Sequence, residues 1–297
     1  MTRILVPAFV ALTALPAAAQ DGGNGLSFGG EVKLEYLDAG SSHLWAFDGD
    51  VAASWRSGGL LGFDASVDTT YLDSDGSGDD LTNIWAALVL STGAGEFAVG
   101  APRPLVDTLG VMPKFSSSRV LDLETSILRG PITTIASASD NGITPGITWK
   151  QDTGNLTFGA GYHHLNDGDN VEILEGIMRY QTGATTFFIT GEFAETEGPN
   201  ATLMQIGALH DADRFAFGAA LSQLDLTDAT RSLRLYGSFD VMPSLTLRGD
   251  AMMIQDASDI YSLSATYGMD NGLFIEGGGS KIGGSDEIYD IGVGFKF

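Results

Sequence analysis

The 297-residue chain has no cysteine, which removes disulfide scaffolds and thiolate metal or redox chemistry. It is poor in basic residues: 15 Lys and Arg stand against 38 Asp and Glu, giving a formal net charge of −23. Nucleic acid, whose phosphates demand a basic surface, is excluded as a partner. Beyond the N-terminus, no apolar run approaches the roughly 20 residues of a membrane helix. Histidines are scarce, and His43, His163, His164 and His210 show no zinc-binding spacing. Neither a Gly-x-Ser-x-Gly elbow nor a phosphate-binding glycine loop occurs. The chain therefore reads as a non-enzyme without a cofactor.

Glycine is what the chain has in excess. Its 40 glycines are too many for a helical protein and follow no three-residue collagen period. The N-terminus carries a positive start at Met1-Thr2-Arg3, an apolar stretch from Ile4 to Leu15, and the small residues Ala17-Ala18-Ala19. This reads as a secretory signal peptide over 1–19, cut after Ala19, with one all-β domain over 20–297.

The last eleven residues carry the fold signal. Along Glu287–Phe297, Tyr289, Ile291, Val293, Phe295 and Phe297 fall on one face of an extended chain. Asp290, Gly292, Gly294 and Lys296 fall on the other, because strand side chains repeat every two residues. One wholly apolar face and one polar, glycine-rich face imply two solvents, lipid outside and water inside.

The same alternation divides the mature chain into about sixteen strands. They are expected near 26–37, 43–56, 60–72, 81–91, 95–100, 143–151, 155–165, 171–181, 184–194 and 201–210. The last six fall near 214–224, 230–240, 244–255, 260–269, 272–281 and 286–297. Tight connections such as Ser57-Gly58-Gly59 and Thr182-Gly183 alternate with longer or more acidic ones at 38–42, 73–80, 101–141, 166–170, 195–200, 225–229, 256–259 and 282–285. Short turns at one rim and longer loops at the other are the asymmetry of outer-membrane barrels.

Lipid outside forces closure. Each unpaired backbone group in hydrocarbon costs several kcal/mol, so the sheet must have no edge. The expected fold is an all-β, transmembrane, antiparallel β-barrel, wide enough to keep an aqueous channel. Trp45, Trp55, Tyr71, Trp85, Trp149, Tyr162, Tyr180, Tyr261, Tyr267, Tyr289, Phe295 and Phe297 are assigned to aromatic girdles at the membrane interfaces.

These residues resemble a known family, the sixteen-stranded general porins of Gram-negative bacteria in their compact alphaproteobacterial form. The likeness rests on the Ala-Ala-Ala cleavage site, the first strand Leu26-Ser27-Phe28-Gly29-Gly30-Glu31-Val32, Glu96-Phe97-Ala98-Val99-Gly100 before a long third loop, and the terminal strand ending in Phe297. It implies that the third loop, 101–141, folds inward and narrows the channel, and that the protein is a homotrimer among outer-membrane lipid and lipopolysaccharide. Within that loop, Ser116-Ser117-Ser118 would cap a short helix through Val120, Leu121, Leu123 and Leu128, its apolar side chains packed on the wall.

The resemblance also implies an eyelet in which acids of the loop face bases of the wall. Loop candidates are Asp107, Asp122, Glu124 and Asp140, with Arg103, Arg119 and Arg129 nearby. Wall candidates on inward registers are Lys33, Arg56, Arg179, Arg234, Arg248 and Lys150. The inward acids Glu31, Glu35, Asp48, Asp50, Asp64, Asp68, Glu175 and Asp250 outnumber the inward bases, which points to cation preference.

The acidic segment Asp73–Asp80 has oxygens at alternate positions, but its twelfth position is Ile84 rather than glutamate, so an EF-hand is rejected. Weakly bound divalent cations such as calcium are allowed there and at Asn166-Asp167-Gly168-Asp169. The reading is an outer-membrane diffusion channel for ions and small hydrophilic solutes. The alternatives are a solute-specific channel and a structural or adhesive barrel.

Overall fold

The computed structural model describes residues 25–297 apart from 41, 75, 76, 141, 142, 168 and 286, and gives the backbone alone at 77, 139, 140, 166, 167 and 169. The expected signal peptide over 1–19 lies outside the described residues. The first five strands are Gly25–Asp38 (β1), His43–Arg56 (β2), Leu61–Ser74 (β3), Ser77–Thr92 (β4) and Gly95–Ala101 (β5). Three helices follow, Leu105–Thr108 (α1), Arg119–Ser126 (α2) and Ile132–Asp140 (α3). Then come Gly146–Thr153 (β6), Leu156–Asp167 (β7), Asp169–Thr182 (β8), Thr185–Glu195 (β9) and Ala201–Ala212 (β10). Phe215–Asp225 (β11), Ala229–Met242 (β12), Leu245–Ile254 (β13), Ile260–Gly268 (β14), Leu273–Ile282 (β15) and Glu287–Lys296 (β16) complete the chain.

Each strand pairs antiparallel with its sequence neighbours, and β16 returns to β1, closing a barrel of 16 strands. The seam runs from Glu31 opposite Lys296 to Asp38 opposite Tyr289. It is locked at one end by paired backbone bonds between Gly30 and Phe297, 3.0 and 3.1 Å. Phe28 stacks on Phe297 there, with ring centroids 5.3 Å apart, so the terminal aromatic helps close the barrel.

Alternation holds around the whole wall. Leu26 is 71% exposed and Ile291 59%, whereas Asp290 is 7%. So many large apolar side chains exposed in one belt would be an aggregation surface in water; here they face hydrocarbon. Among the described residues no helix is long and apolar enough to cross a membrane, so the strands carry the span.

Two expectations need correction. Trp85 is 2% exposed and points inward, because its neighbour Ile84 holds the outward register. It belongs to no girdle. The acidic segments 73–80 and 166–170 are also largely ladder, not loop: Asp73 pairs with Gly78, and Asn166 with Asn170. Strands that project past the lipid into water bear aspartate at no desolvation cost. Asp75, Gly76 and Gly168 of those segments lie outside the described residues.

With these segments in strand, the connection between β5 and β6 is the one long excursion among the described residues, and it turns into the bore. The loop packs on two apolar clusters of the wall. Ile132 and Ala136 of α3 pack on Leu165, Ile173, Ala194 and Ala201. Phe115, fully buried, packs with Leu128 on Met252 and Ile260.

Candidate functional site

The loop is fixed inside the barrel by charges of the wall bonding its backbone. Every helix begins on a glutamate. The amides of Leu105 and Val106 at the start of α1 donate to Glu175, 2.8 and 3.0 Å. Arg119 N at the start of α2 donates to both oxygens of Glu35, 3.2 and 3.1 Å. Ile132 and Thr133 at the start of α3 donate to Glu192, 2.8 and 3.4 Å. A carboxylate at a helix N-terminus meets unsatisfied N–H groups and the positive end of the dipole.

Bases of the wall do the converse and cap carbonyls. Lys33 donates to Ser117 O at 2.6 Å, Arg234 to the carbonyls of Pro113 and Lys114 at 2.7 and 3.1 Å, and Arg179 to Leu109 O at 3.2 Å. The inward face is therefore a set of sockets. Its glycines make room for them: a Cβ on Gly161 would collide with the Glu175 carboxylate, and one on Gly278 with Ser117 Oγ. His163, fully buried, bonds Glu175 through Nε2 at 2.9 Å and sets that carboxylate in place.

The helix α2 has Ser118 at its N-cap, as expected, but the serine hydroxyl makes no capping bond; Glu35 serves instead. Helices α1 and α3 escape the apolar periodicity because one is a single turn and the other is rich in β-branched residues. Pro104 and Pro131, immediately ahead of each, are the sequence signal that marks them.

Between loop and wall lies a cavity of about 440 Å³, bordered by charge. On the wall side stand Asp50 and Asp68, with Asp48 just behind them. On the loop side stand Arg103, Lys114, Arg119 and Arg129. Arg103 grips Asp50 through both terminal nitrogens, 2.9 and 3.0 Å, and Asp107 through Nε at 2.6 Å. Lys114 reaches Asp48 at 3.1 Å, and Arg119 reaches Asp48 at 2.8 Å and Asp68 at 3.6 Å. Across the cavity, bases of the loop thus face acids of the wall, with the loop acids Asp107 and Asp122 and the wall base Arg234 also on its border.

The loop acid Asp122, on the border of the cavity, is a hub of ion pairs. It accepts the Phe115 amide at 2.6 Å, Arg129 at 2.6 Å and Arg119 at 3.1 Å. Burial alone would raise its pKa, but Arg129, Arg119 and Lys114 hold it down at about 2. A carboxyl depressed in the folded state stabilises above its ordinary value, 3.8, and that stability is lost as pH falls towards 2. Loss of the Asp122 ion pairs, read as added single-channel noise, is therefore expected only below about pH 4. Loosening at pH 5–6 would contradict this role of Asp122.

The other sequence candidates divide. Arg103, Asp107, Arg119, Asp122, Arg129, Asp50 and Arg234 border the cavity. Lys33 and Arg179 are loop sockets, and Arg248 braces Asp250 at 2.8 Å, which in turn holds Arg234 at 2.6 Å. Arg56 pairs with Asp64 at 2.6 Å and Lys150 with Glu96 at 2.9 Å, near the short-turn ends of their strands and not on the border of the charged cavity. Glu124 is exposed and stands outside the cavity. The side chain of Asp140 lies outside the described ones. Sequence reasoning missed Lys114 and Glu192, although Glu192 sits on the inward register between Thr190 and Ala194.

Comparisons with known proteins agree with this architecture. A double mutant of the Rhodobacter blastica porin superposes with a TM-score of 0.67 at 16% identity, covering 92% of this chain and 100% of that one. OmpT of Vibrio cholerae, lacking loop L8, gives 0.66 at 11% identity, with 93% and 100% covered. No curated protein sequence matches significantly. The profile of the Gram-negative porins matches residues 7–296, and with a closed 16-strand barrel around an inserted loop, the chain belongs to the Gram-negative porin family, the outer-membrane channel proteins.

Proposed function

We propose that this porin passes ions and small hydrophilic solutes by passive diffusion, with a modest preference for cations set at its mouths rather than at its constriction. The observation that carries the reading is the charge-bordered cavity of about 440 Å³ left between loop and wall. Opposed charges across a narrow passage orient dipolar solutes and penalise apolar ones, which lose ordered water there. No step of this reading needs a catalytic group or cofactor.

The cation preference rests on where the uncompensated acids stand. At the constriction, acids and bases are matched in ion pairs. At the loop-bearing rim, Asp38, Asp79, Asp80, Glu172, Glu195, Asp225 and Asp256 face few bases. A field from exposed rim charges is screened over about 10 Å at 0.1 M salt and about 3 Å at 1 M. Reversal potentials in a salt gradient are expected to show cation preference at low salt that fades near 1 M. Anion preference, or a salt-independent ratio, would rule this out.

Export by the segment ending at Ala19, assembly as a homotrimer and contact with lipopolysaccharide complete the proposal. They are supported by the N-terminal pattern, the family and the apolar belt. The acidic hairpin tips at 73–80 and 166–170 are proposed to bind divalent cations only weakly.

A further inference from the structure

Among the described residues, four carboxylates border the cavity between loop and wall, and three of them are taken. Asp50, Asp107 and Asp122 each accept an arginine hydrogen bond, of 2.9, 2.6 and 2.6 Å. Asp68 accepts none among the described residues; its ion pair with Arg119 Nη2, at 3.6 Å, is too long for a hydrogen bond. Directly across the ladder from Asp68 stands Asn83, 3% exposed, whose amide oxygen also lacks a partner. Thr134 of α3 borders the same cavity with an unpartnered hydroxyl. We propose that Asp68, Asn83 and Thr134 form a seat for a primary ammonium group. The channel then favours small solutes bearing –NH3+ over cations of equal charge and size that have fewer N–H donors. The seat presupposes the open passage proposed above.

Charge and hydrogen-bond capacity both single out an ammonium. Strand partners directly opposite bring their Cβ atoms to about 5 Å, so the Asp68 and Asn83 side chains stand side by side on the inner face. Arg119 is already balanced by Asp48 at 2.8 Å and Asp122 at 3.1 Å, which leaves the Asp68 charge to a solute. A primary ammonium carries three donors, and three oxygens without donors border this one cavity: a carboxylate, an amide and a hydroxyl. Buried acceptors left unmet cost free energy that a matching donor recovers. A calcium ion takes about six to eight oxygens, and among the described residues no cluster of three or more carboxylates or histidines could hold a metal. Sodium and potassium bring no N–H and gain no directional bond from the amide or the hydroxyl.

The test is single-channel conductance in planar bilayers against the concentration of two isomeric cations, supplied as chlorides at pH 7. Propylammonium has three N–H donors and trimethylammonium has one, at the same charge and composition. In wild type, the propylammonium conductance is expected to saturate at about tenfold lower concentration, the worth of one charge-assisted hydrogen bond. Asp68→Asn should abolish that gap. Asn83→Leu, which keeps the charge and the approximate volume but removes the amide, should narrow it about threefold. Detergent-resistant barrel mobility reports whether each variant has folded, and the wild-type comparison of isomers decides alone where one has not. Equal half-saturation of the two isomers in wild type, or a gap that persists in Asp68→Asn, overturns the seat while the channel stands. No current from either ion overturns the channel reading, and the seat with it.

Discussion

Replacing Asp122 with alanine is expected to leave the barrel assembled but to unsettle its constriction. The carboxylate is buried and ties the Phe115 amide, Arg119 and Arg129 into one knot. Removing one partner of a buried charge network typically costs about 3–5 kcal/mol, because the remaining charges lose compensation. That cost falls on the loop, not on the barrel, whose ladder closes without it and whose outward face is held by lipid. The glutamate sockets at Glu35, Glu175 and Glu192 keep the helix starts docked, so the segment 115–129 between them should fluctuate. Planar-bilayer recordings should show new sublevels and larger, noisier conductance, with detergent-resistant barrel mobility unchanged. Quiet wild-type conductance in this variant would mean that Asp122 does not hold the constriction in place.

The second large effect concerns selectivity. Lys114 is about half exposed on the cavity side and sits 3.1 Å from Asp48. Burial would depress its ammonium, yet Asp48 raises it above the ordinary lysine value, so it stays charged throughout the neutral range. Lys114→Glu converts the loop side of the passage from balancing Asp48, Asp50 and Asp68 to reinforcing them. One unit charge at 4 Å is worth about 1 kcal/mol in water, and the substitution changes two. Cation-over-anion permeability is expected to rise about tenfold at 0.1 M salt and much less at 1 M, where the screening length is about 3 Å. A rise in anion permeability would place this lysine outside the ion path.

The strands were legible because each of their side chains answers to one of two solvents. β2 begins at His43 and ends at Arg56, as alternation alone places it. Trp85 shows the cost of leaving that logic: aromatic character suggested a girdle, while the outward Ile84 beside it already required the indole to point in. The acidic tips misled in the other direction, since aspartate composition suggests loop but does not stop a ladder that has left the membrane.

The site was less legible, and for a physical reason. Glu35 bonds an amide 84 positions away, and Glu192 meets α3 some 60 positions away. Alternation places both carboxylates on the inner face but says nothing of what docks there. Alternation alone thus does not separate a charge that faces the passage from one that, like Glu35, Glu175, Glu192 or Lys33, bonds the loop backbone. Loop acids likewise turn to their own loop's arginines, Asp122 to Arg119 and Arg129 and Asp107 to Arg103.

The central claim is that the third loop lies in the bore with its tip against the far wall. Ser116 Oγ stands 2.8 Å from Ser262 Oγ, and the chain has no native cysteine. The double variant Ser116→Cys, Ser262→Cys should close an intramolecular disulfide on mild oxidation, since the side chains already meet at bonding range. Its conductance should equal that of the reduced form, because the link pins the loop where it already sits. Failure to cross-link in a folded barrel, or a conductance that changes when the bond forms, would mean that the loop rests elsewhere.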